Sequence, residues 1–215
     1  EKAARKAGKV AKDPHGPLSF RHFVLGAIAI FFYVGIEVGI PNTANIYFSE
    51  LEWVGPALTG TMIGAYWLCM MIGRLAGSAI GGKVSSKTML SVTSIAAIVF
   101  LLCFIFIPES ATVTLFEKQL PVTLIFITIC GLCTSVMWGA IFNLSAEGLG
   151  KYTATASGIF MTLVCGGGII PFLQNLLADH IGSVQSYWLI IACLGYLVFY
   201  ALVGSKNVNK DIKVD

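Results

Sequence analysis

The stretch YVGIEVGIPNTANIY, Tyr33 to Tyr47, decides how the rest of the chain is read. It lies in an apolar run from Phe23 to Phe48 that holds one glutamate (Glu37), one proline (Pro41) and two asparagines (Asn42, Asn45). A core helix of a soluble protein could carry these, but the composition around them points to a bilayer. Hydrophobic residues make up 56% of the 215 and charged residues only 12%, with a mean hydropathy of +0.82. Soluble domains average about 45–50% apolar and about 25% charged. An ionisable side chain at the bilayer centre costs roughly 3 kcal/mol on insertion scales, so Glu37 is expected to face a polar interior, a partner or a pathway. The helix around it reads as one wall of a transport route.

Working outward, the chain holds five more apolar runs, each about the 20 residues that a membrane-crossing helix needs. The six expected spans cover about 22–48, 55–82, 88–107, 122–146, 155–178 and 184–204. Each is far longer than the alternating segments of about ten residues in a membrane barrel, so the predicted class is an all-α integral membrane protein. Residues 1–21 are Lys-rich and lack the order of charge, short apolar core and cleavage site that marks a signal peptide. They read as a cytoplasmic linker, 22–205 as a six-helix bundle and 206–215 as a cytoplasmic tail. With no initiating Met, the chain is expected to be a piece of a longer protein.

Charge sets the orientation. Every Lys and Arg except Lys118 falls on the side that holds both termini: six in 1–21, then Arg74, Lys83, Lys87 and Lys151, and three in the tail. The positive-inside rule places that side in the cytoplasm. The net charge of +3 is thus a matter of topology and calls for no nucleic acid. The six cysteines all lie in apolar runs and read as packing residues, Cys130-x-x-Cys133 included, because no second ligand pair accompanies it. His15, His22 and His180 are scattered, and no metal or cofactor is implied.

The second and fifth spans end alike, AIGGKVSS (Ala79–Ser86) against LADHIGSV (Leu177–Val184). The first and fourth share a looser likeness, GIEVGIPNTANIYFS against GLCTSVMWGAIFNLS. Both offsets are about 96 to 98 residues, or three spans. Three helices followed by three related ones in the opposite topology is the arrangement of an inverted-repeat transporter.

Glu37, Pro41 and Asn45 recur every four residues and share a helix face, with Asn42 beside it. Pro41 deletes a helical hydrogen bond and favours a kink. A kinked helix carrying amides and one acid suits a sugar, whose hydroxyls both donate and accept. The competing role for the asparagines is hydrogen bonding between helices. In the fourth span, Trp138 offers a ring face to a sugar and Asn143 a hydrogen-bonding amide; packing is the other use for the indole. Gln174 and Asn175, just after Pro171, are lesser candidates. Gly166-Gly167-Gly168 marks a hinge or a close crossing. Arg74 either snorkels to the interface or binds helix termini or acids across a domain boundary and holds one conformational state.

Gly73-Arg74-x-x-Gly77 with Lys83 resembles the degenerate second copy of the loop motif of major facilitator superfamily transporters. More specifically, YVGIEVGI (Tyr33–Ile40), SVMWGAIFNLSAEGLGKYTATASG (Ser135–Gly158) and GGGIIPFLQNLLADHIGSVQ (Gly166–Gln185) resemble the fucose/glucose/galactose–proton symporter family. Trp138-Gly139 stands where many members have Phe-Pro, which brings the chain nearer to the bacterial glucose/galactose subgroup. The resemblance implies a twelve-helix alternating-access carrier of the bacterial inner membrane, of which this chain is the C-terminal half, a 3+3 inverted repeat. It further implies a hexose bound between the halves, a coupling cation (H+ or Na+), and coupling carboxylates largely in the missing half. Glu37, Asn42, Asn45, Trp138 and Asn143 are carried over as sugar-binding residues, with Glu37 and Arg74 as coupling or gating residues. An enzyme is not expected. A non-transporting receptor or assembly subunit, and a half-size carrier that dimerises, are the competing classes.

Overall fold

The computed structural model describes residues 15–115, 118–209, 211, 212 and 214, with the side chains of Leu115 and Lys118 left aside. Residues 1–14 of the expected linker, and the tail lysines Lys210 and Lys213, lie outside the described residues. The six expected spans form. The first is α1 (Arg21–Glu50), the second α2 (Gly55–Ile80) and the third α3 (Ser86–Phe106). The fourth (Val122–Ala146) consists of α4 (Val122–Thr134) and α5 (Met137–Ala146), and the fifth (Gly150–Ile181) contains α6 (Thr153–Thr162) and α7 (Gly166–Ile181). The sixth, α8 (Tyr187–Phe199), ends in a π-helical turn, Tyr200–Gly204.

Pro41 does not break α1, which runs on for 30 residues and about 45 Å. The fourth span is the interrupted one. Thr134 Oγ1 donates to the Cys130 and Gly131 carbonyls, and Ser135 Oγ to that of Leu132. Such back-bonding competes with the helical ladder, and the helix breaks at Ser135-Val136. The fifth span tightens into a 3-10 turn at Leu163–Cys165, then stops where Gly182, at φ 93, takes a conformation closed to most side chains.

One element departs from the all-helical expectation. Between the third and fourth spans, β1 (Thr112–Leu115) pairs antiparallel with β2 (Lys118–Pro121), Thr112 opposite Pro121. The β-branched run Thr-Val-Thr favours the pleat, and outside the hydrocarbon water serves the hairpin's outer edges. In the tail, Ile212 and Val214 pack against Phe20, Leu149 and Tyr152. The Asn209 side chain accepts from the Arg21 amide at 3.0 Å. Tail and linker thus meet on one side of the bundle, against the fourth–fifth turn.

The first and fourth spans are the central pair: 61% of each apolar window is buried, against 22% for the second. Span 1 packs along span 5 as span 4 packs along span 2, and span 3 meets span 6. That exchange is the contact pattern an inverted 3+3 repeat generates. Leu75, Val92, Phe106 and Phe172 point outward, where hydrocarbon takes the place of a core.

Two close crossings rest on glycine. A Cβ on Gly166 would overlap the Phe31 carbonyl, and one on Gly131 would overlap that of Tyr66. Gly166 therefore marks a tight crossing, the second of the two roles expected for the glycine triplet. Gly166→Ala should destabilise the full-length protein by about 1–3 kcal/mol, because backbone cannot swing aside. Gly168→Ala, where a methyl meets nothing within 4 Å, should be near neutral. Thermal unfolding of both variants in detergent checks this; equal effects would contradict the crossing.

Candidate substrate cleft

A cleft of about 690 Å³ opens between the first, second and fourth spans and the start of the third. Its walls carry Glu37, Arg74, Ser86, Ser135, Trp138 and Asn143, among others, with Gly77, Gly81 and Gly139 leaving room between them. Four of the six expected site residues are therefore brought together. Asn42, half-buried, and Asn45, exposed, do not line this cleft. They lie one and two turns further along α1, towards the end where Tyr47 Oη donates to Glu109 at 2.8 Å.

Glu37 sits near the middle of α1, its side chain only 13% exposed. Arg74 lies close to the end of α2, yet its guanidinium turns inward and donates to Glu37 Oε1 at 2.8 Å. The acid that Arg74 meets lies within the same six-helix bundle, not across a domain boundary as one of its two expected roles had it. The arginine is 53% exposed and keeps much of its hydration, so the pair is worth on the order of 1 kcal/mol. Its larger effect is to let a carboxylate exist at that depth.

Trp138 follows one residue after the break in the fourth span, and the break turns its indole into the cleft wall. Tyr33 and Phe160 meet it edge-on, with ring centroids 6.1 and 5.9 Å away. This T-shaped support fixes the ring while leaving part of it open to the cleft. Asn143, one and a half turns on, is exposed and lies 3.5 Å from Ser86 Oγ. Its amide remains open to a ligand.

The lesser candidates lie elsewhere. Asn175 accepts from Thr43 at 3.1 Å between the fifth and first spans. Gln174 is fully buried against Gly39, with neither amide atom bonded. All six cysteines are free, and Cys130 and Cys133 are buried.

Sequence reasoning missed the tyrosines. Tyr66 donates to the Glu37 carbonyl at 3.0 Å, Tyr187 to that of Ile40 at 2.7 Å, and Tyr33 to that of Thr134 at 3.2 Å. The signal was present: a proline frees a carbonyl four residues back, and a buried tyrosine needs a partner.

Fold and cleft together define a six-helix membrane bundle of inverted-repeat build. The Major Facilitator Superfamily model matches residues 2–171, and the chain belongs to that superfamily. Among curated relatives, the glucose/galactose transporter of Brucella abortus biovar 1 (strain 9-941) is 33% identical over 190 residues, 87% of this chain and 43% of that protein. A putative glucose/galactose transporter of Helicobacter pylori (strain J99) is 31% identical, over 88% of this chain and 45% of that protein. The L-fucose-proton symporter of Escherichia coli (strain K12) is 25% identical, over 88% and 41%. The solved structure of the superfamily transporter FucP in the outward conformation superposes with a TM-score of 0.75 at 22% identity, over 87% of this chain and 43% of that one. The last likeness speaks for the fold. The chain spans less than half the length of the curated relatives it matches.

Removing Arg74 strands the Glu37 charge at membrane depth, at roughly 3 kcal/mol on insertion scales. Arg74→Gln alone should therefore destabilise the full-length protein more than the double variant Glu37→Gln/Arg74→Gln. Melting temperatures of the purified variants would show it; simple additivity would mean that the two charges do not need each other.

Proposed function

We propose that this chain is the C-terminal six-helix half of a twelve-helix, cation-coupled hexose carrier of the bacterial inner membrane. Both termini are cytoplasmic. The observation that carries the reading is the cleft itself, which joins a supported indole, an exposed amide and a carboxylate–guanidinium pair. An indole covers the apolar face of a pyranose, while amide and carboxylate meet its hydroxyls. The cleft is open, and the opposite wall belongs to the other six helices. Sugar bound between the walls is exposed to one side of the membrane at a time as the halves rock.

Glucose or galactose is the favoured cargo. The relatives carrying those names are 31–33% identical, against 25% for the fucose symporter. Proton coupling is favoured over sodium: one relative is named a proton symporter, and a carboxyl such as Glu37 can carry a proton. Protonation would cancel the charge that holds Arg74 and so loosen the first span from the second. Asn42 and Asn45 are assigned to the far end of the route, where sugar enters or leaves.

Full-length carrier in proteoliposomes should accumulate labelled glucose or galactose when an inward proton gradient is imposed, and lose accumulation when the gradient is collapsed. Trp138→Ala should raise KM by about fivefold while leaving the maximal rate largely intact, since the ring holds sugar in every state. Glu37→Gln should abolish gradient-driven accumulation but keep downhill exchange. A carrier that takes up no hexose under either a proton or a sodium gradient would favour the receptor reading.

A further inference from the structure

Pro41 has no N–H, so the carbonyl four residues back, that of Glu37, has no partner within its own helix. Hydrocarbon offers no water to replace it. The second span supplies the donor: Tyr66, fully buried, gives its hydroxyl to Glu37 O at 3.0 Å. The same hydroxyl lies 3.3 Å from Thr134 Oγ1, and the Thr134 carbonyl accepts from Tyr33 at 3.2 Å. Thr134 is the last residue before the break in the fourth span. The two irregular points of the central helices, the proline site and the break, are therefore joined through two tyrosines.

We infer that Tyr66 is the positioning residue of Glu37. Eight residues further along α2, about two turns, Arg74 holds the carboxylate of the residue whose main chain Tyr66 holds. One helix grips Glu37 twice, by carbonyl and by side chain, and the first grip sets where the second is made. Gly131 lets α4 come close enough to Tyr66 for Thr134 to join, since a Cβ there would overlap the Tyr66 backbone. Without the tyrosine hydroxyl the Glu37 carbonyl must find another donor, and the local helix turns to reach one. The carboxylate then no longer meets Arg74 in line, and the pair weakens. This assignment rests on the Glu37–Arg74 pair and not on the identity of the cargo.

Two thermal cycles on the full-length protein test it. In the first, Tyr66→Phe keeps the ring and loses the hydroxyl, at about fivefold in the folding equilibrium. In a Pro41→Ala background the Glu37 carbonyl regains a helical N–H, so the same change should cost clearly less; equal costs in both backgrounds overturn the link to Pro41. In the second, Glu37→Gln is measured with and without Tyr66→Phe. A positioned carboxylate predicts that Glu37→Gln loses most of its effect once the hydroxyl is gone. A purely structural tyrosine leaves that effect unchanged, and such a result would overturn the positioning role. Hexose uptake by the native carrier is scored separately, so its absence would remove the proposed cargo while both cycles remain readable.

Discussion

One backbone carbonyl organises the centre of this bundle. Pro41 releases the carbonyl of Glu37, and a membrane interior has no solvent to receive it. The nearest donor is on another helix, so a local defect in α1 becomes a tertiary bond to Tyr66 on α2. Tyr187 adds a second bond of this kind from the sixth span, to the carbonyl of Ile40, which the helix itself leaves paired. The spans of a membrane protein gain little from hydrophobic attraction to one another, because lipid is as apolar as leucine. Bonds of this kind, with glycine-mediated close approach at Gly131 and Gly166, set which helix lies against which.

The same economy governs the charges. A glutamate near the middle of a 30-residue apolar helix would be prohibitive alone. It persists because Arg74 reaches in from the end of a neighbouring helix, across a cleft that keeps the guanidinium partly wet. A partner buried as deeply as Glu37 would lock the pair; one at the interface could not reach it. The intermediate depth of Arg74 lets it reach the carboxylate while staying partly hydrated.

Breaks in the helices fall where the cleft needs them. The interruption at Ser135-Val136 falls one residue short of Trp138, and the tightened turn at Leu163–Cys165 directly precedes the close crossing at Gly166. Irregular backbone at membrane depth survives only where protein or a polar cavity satisfies it. Here threonine and serine hydroxyls, and a tyrosine from the facing helix, supply that satisfaction.

Class and span order were legible in the residues alone. Long apolar runs in a bilayer have one solution, the helix, which needs no edge partner. The family resemblance was legible for the same reason: its motifs sit on the turns and on the fourth span, where local chemistry is dense. Glu37, Trp138 and Asn143 could be singled out as polar or aromatic exceptions in apolar surroundings. What required the tertiary structure was the partner of each exception. Arg74 belongs to Glu37, and Tyr66 to the carbonyl behind it, although 37 and 29 positions separate them in the chain. Asn42 and Asn45, close to Glu37 in sequence, lie off the cleft because a helix advances about 1.5 Å per residue and carries them beyond it. Periodicity reports which face a residue occupies; only the packing of the other five spans decides what that face meets.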